Sequence, residues 1–380
     1  MRGKLGRCLR SVNSAAALLL VLSTAGCLRP PHAVTRIDSF VWSGTLRDAT
    51  RTPYIAERTA SDPAIQWEQR IGRGYTDVPA VQGELLLATS TAKTMTVVNA
   101  ETGRRYWEHR TNGPVIGGLT RLDDRVYAAT QSRDGRVEAF TLARGRHLWT
   151  FRMHSPATAG ALLLDSVLYV GSQRGDLFAL HIDGPKQLWL TRLPSALAAP
   201  VVSFGGDLYA LTARDSLLAV DRESGRMRGG VKMAGSASAP FALQGDRLIV
   251  PVHPGLVQAV RLPDMRIEWT AQLDAPILAA PALDSDGTFF LLSRIGDVWH
   301  VDAGGGATRI ARLGNAATGS LTLTADGILA GMLDGTLIML RRDGTEIWRR
   351  KFDHSLQTPV AVKDGAIYVP LADGHMVMLR

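Results

Sequence analysis

Apolar residues in this chain come in short bursts, not in helical stripes. Residues 158–192 show the unit. TAGALLL, rich in small residues, ends at Asp165-Ser166. VLYVGSQ, β-branched and aromatic, ends at Arg174-Gly175-Asp176. LFALHI alternates and ends at Asp183-Gly184, and QLWLTRL follows with Trp189. Four runs and three tight turns leave no room for a helix of about 10 residues, so each unit is predicted to be four antiparallel strands. The second-strand run recurs as ELLLATS, VYAATQS, VLYVGSQ, DLYALTA, RLIVPVH, FFLLSR, ILAGML and IYVPLA. Asp or Gly precedes each of these eight runs, supplying the local hydrogen bonds and positive φ of hairpin turns.

The units repeat at a fixed interval. Trp67, Trp107, Trp149 and Trp189 are 40, 42 and 40 residues apart; the next slot is Gly229, then Trp269, then a slot near Ile310, then Trp348. Ala139, Ala179, Ala219 and Ala259 run in step with them. Such a period points to a propeller or a solenoid, and four strands per period select the propeller. Pro79, Pro200, Pro240, Pro281 and Pro359 fall at equivalent places beside the first strand, where the blades converge and bulk is limited. The tryptophans fall on the fourth strand, where a large ring can fill the wedge between blades. Seven units are complete, and residues 356–380 hold only three strands. Residues 64–71, AIQWEQRI, have no first three strands of their own. Together they predict an all-β, eight-bladed β-propeller of four-stranded antiparallel blades over residues 63–380, closed by the N-terminal strand.

The N-terminus reads differently. MRGKLGRCLR is basic, and residues 15–22, AAALLLVL, are apolar but too short to span a bilayer, which takes about 20 residues. This is the plan of a cleaved export signal over residues 1–26. Ser23-Thr24-Ala25-Gly26-Cys27 resembles the lipobox of bacterial lipoproteins, with Thr24 where Leu is usual. That resemblance implies covalent lipid on Cys27; the alternative is an ordinary signal with an incidental Cys. Residues 27–62 then form a lipidated tether, in which Phe40-Val41-Trp42 is the apolar knot: a clip onto the body, or a peptide for a partner. The formal net charge is +8, and taking away the four cations of the signal leaves +4, too ordinary to argue for nucleic acid.

The spacing apolar-x-Ala-x5-Gly-x3-Trp, clearest in VEAFTLARGRHLW and in LFALHIDGPKQLW, the second one residue shorter between Ala and Gly, resembles the pyrroloquinoline-quinone-type propeller repeat. With signal, lipobox and tether, and with WEQRIGRGYTDVPAVQGELLLA followed by VVNAETGRRYW, the chain is similar to the lipoprotein family that assembles outer-membrane proteins. The resemblance implies a non-enzymatic scaffold, a monomer within a complex, exported and lipid-anchored to a bacterial membrane, the outer one facing the periplasm. Its partner would be a β-barrel assembly factor. In that family a Leu/Arg-bearing loop after the fourth repeat Trp docks the barrel partner; here the stretch is the short WLTRLPSAL of residues 189–197, so no docking residue is carried over. The alternative is a periplasmic sensor propeller holding a ligand, peptide or glycan.

Catalysis finds little support. Quinone-dependent dehydrogenases use the same blades, but by resemblance they need an adjacent Cys pair and a calcium site, and this chain has two Cys, one inside the signal. No catalytic, cofactor or metal residue is assigned, the lipid on Cys27 apart. The nine His form no HExxH, and Gly304-Gly305-Gly306 lacks the following helix and Lys of a phosphate loop. Arg341-Arg342 and Arg349-Arg350-Lys351 are a solvated face or a contact for acidic headgroups or an acidic partner.

Overall fold

The computed structural model describes residues 41–43, 54–317 and 319–380. The turn-punctuated pattern folds as read: eight sheets in a propeller ring, with no helix among the described residues. Blade 1 consists of strands A to D at Ala80–Gln82, Leu85–Thr89, Thr94–Asn99 and Arg105–Arg110. Blades 2 to 7 repeat this order over residues 115–152, 162–192, 202–232, 242–272, 282–312 and 322–351. Blade 8 takes strands A to C from residues 361–379 and its D strand from Ile65–Arg70. Trp67 pairs with Met378 and Arg70 with His375, while Ala64 and Arg380 exchange N–H···O bonds of 2.9 and 3.0 Å. Residues 64–70 and the C-terminal strand therefore share one ladder, and no blade is left short.

Burial follows the radius. Strands B and C are almost wholly buried, as in Leu85–Thr89, Val167–Gly171 and Thr336–Leu340. D strands are mostly exposed, as in Ile65–Arg70 and Gln187–Arg192. Each joint between blades carries its own apolar cluster; one unites Trp149, Val170 and Phe178.

Two N-terminal pieces lie along inner strands. Val41–Ser43, which overlaps the predicted knot, pairs antiparallel with residues 120–122 of blade 2. Tyr54–Ile55 pairs parallel with Leu323 and Thr324 of blade 7. Ile55 is buried in the joint of blades 7 and 8. Beyond it, Glu57 accepts from Lys363 Nζ at 3.4 Å, and the Thr59 N–H donates to Asp326 at 3.2 Å. The stretch expected to be tether is thus bound to the ring at residues 41–43 and again from residue 54 on. Cys27 and the signal lie outside the described residues.

Candidate functional site

The repeat's chemistry is structural. In blades 2, 3 and 5 the Trp of strand D stands opposite the Ala of strand C: Ala139 opposite Trp149, Ala179 opposite Trp189, Ala259 opposite Trp269. A small residue there leaves room for the ring. A register shift just past each pair turns the ring toward the next blade. There the indole N–H donates to a carbonyl in the C–D turn. Trp67 reaches Ala100 (3.0 Å), Trp107 Leu142 (2.7 Å), Trp149 Ile182 (3.0 Å), Trp189 Arg222 (3.1 Å) and Trp269 Ala303 (3.1 Å). Trp348 is partly buried in the joint of blades 7 and 8.

In the C–D turns of blades 1, 2, 4 and 6 a Gly is the seat of the preceding blade's ring. A Cβ on Gly145 would stand 2.7 Å from Trp107, on Gly225 2.6 Å from Trp189, and on Gly305 2.7 Å from Trp269. All three have φ above +60°, where Gly alone is unstrained. The Gly304-Gly305-Gly306 run is therefore a ring seat. In blade 6 the Trp slot is held by Ile310, as expected: it packs in the joint of blades 6 and 7, and a Cβ on Gly344 would stand 3.1 Å from its own. Arg309 beside it pairs with Trp299, which lies in the joint with blade 5, with the guanidinium 5.6 Å from the ring.

The outer strands are where partners can be met. Edge strands are usually guarded by charge. Arg105–Arg110 (RYWEHR) and Glu346–Lys351 (EIWRRK) follow this rule. Gln187–Arg192 (QLWLTR) does not: Leu188 is 44% and Leu190 43% exposed, and its one charge, Arg192, is bound to Asp176 at 3.1 Å. Alternation puts both leucines opposite Trp189, which faces blade 4. Leu193 and Leu197, from the stretch weighed for docking, are buried. On the next blade Met227 is 42% exposed beside an open cleft of about 470 Å³ lined by Asp221, Ser224, Arg226 and Arg228. The Arg228 guanidinium and the Ser224 hydroxyl hold the Asp221 carboxyl far below the usual carboxylate range. This apolar rim with fixed charges is the candidate interface.

A second cleft of about 390 Å³ opens between blades 6 and 7. Arg342 lies 5.9 Å over Phe290 and bonds Asp284 at 2.6 Å. The basic run that stood out in the sequence is neutralised: Arg349 binds Glu346, and Lys351 binds Asp334 at 2.8 Å. Among the described residues no three His, Cys, Asp or Glu side chains are placed to hold a metal.

The sequence profile of the family described as outer membrane protein assembly factor BamB matches residues 54–210 and 213–309, about two thirds of the chain. A curated relative, the outer membrane protein assembly factor BamB of Moranella endobia, is 23% identical over 220 residues, covering 50% of this chain and 56% of that protein. The match thus spans little more than half the relative's length. Among solved structures, BamB from Moraxella catarrhalis superposes with a TM-score of 0.69 at 16% identity, over 84% of this chain and 100% of that one. A europium-containing methanol dehydrogenase reaches 0.75 at 11% identity, over 87% and 89% of the two chains. At these identities the likeness is one of fold.

Proposed function

The chain belongs to the family of the outer membrane protein assembly factor BamB, and from that premise we propose that it is a non-enzymatic, lipid-anchored scaffold for the assembly of outer-membrane β-barrel proteins. It would be exported, held on the periplasmic side of the outer membrane by lipid on Cys27, and act within a complex. One observation carries the docking reading: the outer strand Gln187–Arg192 offers an edge of free N–H and C=O groups with Leu188 and Leu190 exposed beside it. A β-rich partner can add a strand there by main-chain bonds, with the leucines supplying apolar contact. Leu188→Glu/Leu190→Glu places charge on that edge without touching the core. The expected result is loss of a co-purifying β-barrel assembly factor from detergent extracts, with an unchanged melting temperature. Undiminished recovery of the factor refutes the docking site. Cys27→Ala should abolish incorporation of radiolabelled palmitate; label in that variant refutes the anchor.

The ligand-binding alternative finds its support in the cleft between blades 6 and 7. The axis supports it less, because two of its inner edges are paired by the chain's own N-terminal segment. Mass spectrometry of the purified protein after dialysis separates the readings: a stoichiometric small molecule favours the sensor.

A further inference from the structure

One register position repeats around the ring. The last residue of strand D stands opposite the first of strand C, on the face formed by the B–C turns and the blade-to-blade connections. In seven blades that residue is Arg or Lys; Gln272 of blade 5 is the exception. Four of the cations are neutralised within their blades. Arg192 binds Asp176 (3.1 Å), Lys232 Asp215 (3.3 Å), Arg312 Asp297 (3.2 Å) and Lys351 Asp334 (2.8 Å).

Blades 8, 1 and 2 depart from this. Arg70 faces His375, Arg110 faces Thr94, and Arg152 faces Arg136. The nearby turns add Arg73, Lys93 and Arg133, all exposed like Arg70, Arg110 and Arg152. None of the six has a carboxylate partner among the described residues. The carboxylates of this arc cannot neutralise it: Asp77 is buried, Asp373 is engaged by His354 (3.3 Å) and His375, and Asp134 stands alone. Arg136 and Arg152 directly opposite one another are an unfavourable like-charge pair. An anion bound between them turns that repulsion into attraction.

We propose that this arc, centred on Arg110 and Arg152, docks an acidic segment of a protein partner. The choice of a protein over lipid headgroups rests on the anchor reading above and on the course of the N-terminal arm. Val41 pairs with Leu122, at the A–B end of its strand, and the chain past Ile55 is fastened at Asp326 and Lys363, in the A–B turns of blades 7 and 8. Val41 and the stretch past Ile55 thus lie toward the face opposite the arc, which favours a partner over the protein's own membrane as the arc's occupant.

The full chain is reconstituted on phosphatidylcholine vesicles, and binding of a fluorescein-labelled Glu-Gly repeat peptide is read by anisotropy. Arg70→Gln/Arg110→Gln/Arg152→Gln should weaken binding about tenfold at low salt, with the difference shrinking as salt screens the charges. Arg144→Gln/Arg146→Gln/Arg266→Gln removes the same charge from the C–D turns on the opposite face and should leave binding within about twofold. Equal affinities for wild type and the first variant, or an equal loss in the second, overturn the proposal. Adding phosphatidylglycerol to the vesicles should change nothing; if it abolishes peptide binding, the arc is a lipid site and the proposal fails. Scaffold function could fail its own test at Leu188 and Leu190 with this result untouched.

Discussion

Blade 4 is held on its two sides by joints of opposite design. Toward blade 3, Trp189 lies on Gly225, whose missing side chain makes the seat. Toward blade 5 the Trp slot is Gly229, and the residue in the seat position is Met265, whose methyl lies 3.5 Å from where a Gly229 Cβ would be. Met265 adopts φ +52°, a left-handed conformation that non-Gly residues avoid. That strain is tolerated because its side chain fills the space the missing ring would have taken. The joint therefore specifies a filled volume, and the filling can come from either blade. Ile310 above Gly344, between blades 6 and 7, is a third solution, with a smaller side chain over a Gly seat.

The largest disturbance should come from the joint that also closes the ring. Removing residues 1–72 deletes Trp67 from its seat at Gly103 and leaves strand C of blade 8 an open edge. The product should aggregate, as seen by size-exclusion chromatography, whereas removing 1–53 should leave a cooperatively melting monomer. Removal of 1–58 should melt at an intermediate temperature, because Ile55 and Glu57 go with it. Next, Trp107→Ala leaves Gly145 facing a cavity and should cost about 3–5 kcal/mol in denaturant unfolding. Gly225→Ala presses a methyl into Trp189 at positive φ and should cost about 2–3 kcal/mol.

A double-mutant cycle sharpens the comparison. Gly229→Trp alone should destabilise by about 1–3 kcal/mol, since Met265 is in the way. Combined with Met265→Gly it should recover, with a coupling of about 1–2 kcal/mol. Strict additivity would show that the two positions do not share a space. The smallest effect is a titration. Tyr169, 5.7 Å from Trp189, and Tyr209, beneath the Gly229 joint, are both pushed up to about 12 by burial. A raised folded-state value means their contribution to stability is complete below pH 10 and is lost as pH rises toward 12. Absorbance at the phenolate band should show both ionising late, together with alkaline unfolding.

The number of blades was legible because hairpin turns demand Asp and Gly and because every wedge Trp recurs at the same interval. Gly229 read only as a gap: its compensation, Met265, lies 36 residues on, and nothing local marks it. The knot at Phe40-Val41-Trp42 was visible as apolar sequence, but Tyr54–Ile55 is two residues in a polar stretch and gains its place only from Leu323 and Thr324 across the ring. Charge misled in a similar way. Arg349-Arg350-Lys351 stands out as a run, yet Arg349 is bound by Glu346 of its own strand and Lys351 by Asp334 of the B–C turn. Arg70, Arg110 and Arg152 are isolated in sequence and are gathered only by the fold. QLWLTR showed its alternation, but that its two leucines would face solvent follows from Trp189 claiming the inward side.

The N-terminal arm also sets the order in which force would reach the ring. A pull along the chain from its N-terminal side meets the three residue pairs of Val41–Ser43 first, then the two of Tyr54–Ile55 with the clamps at Glu57 and Thr59. Only after these does it load the ladder of Ile65–Arg70, on which closure depends. Short pairings peel one after another under modest tension, and each frees slack before the next is strained. The arm is in effect a fuse: it yields reversibly and spares the one seam whose opening would unravel the ring.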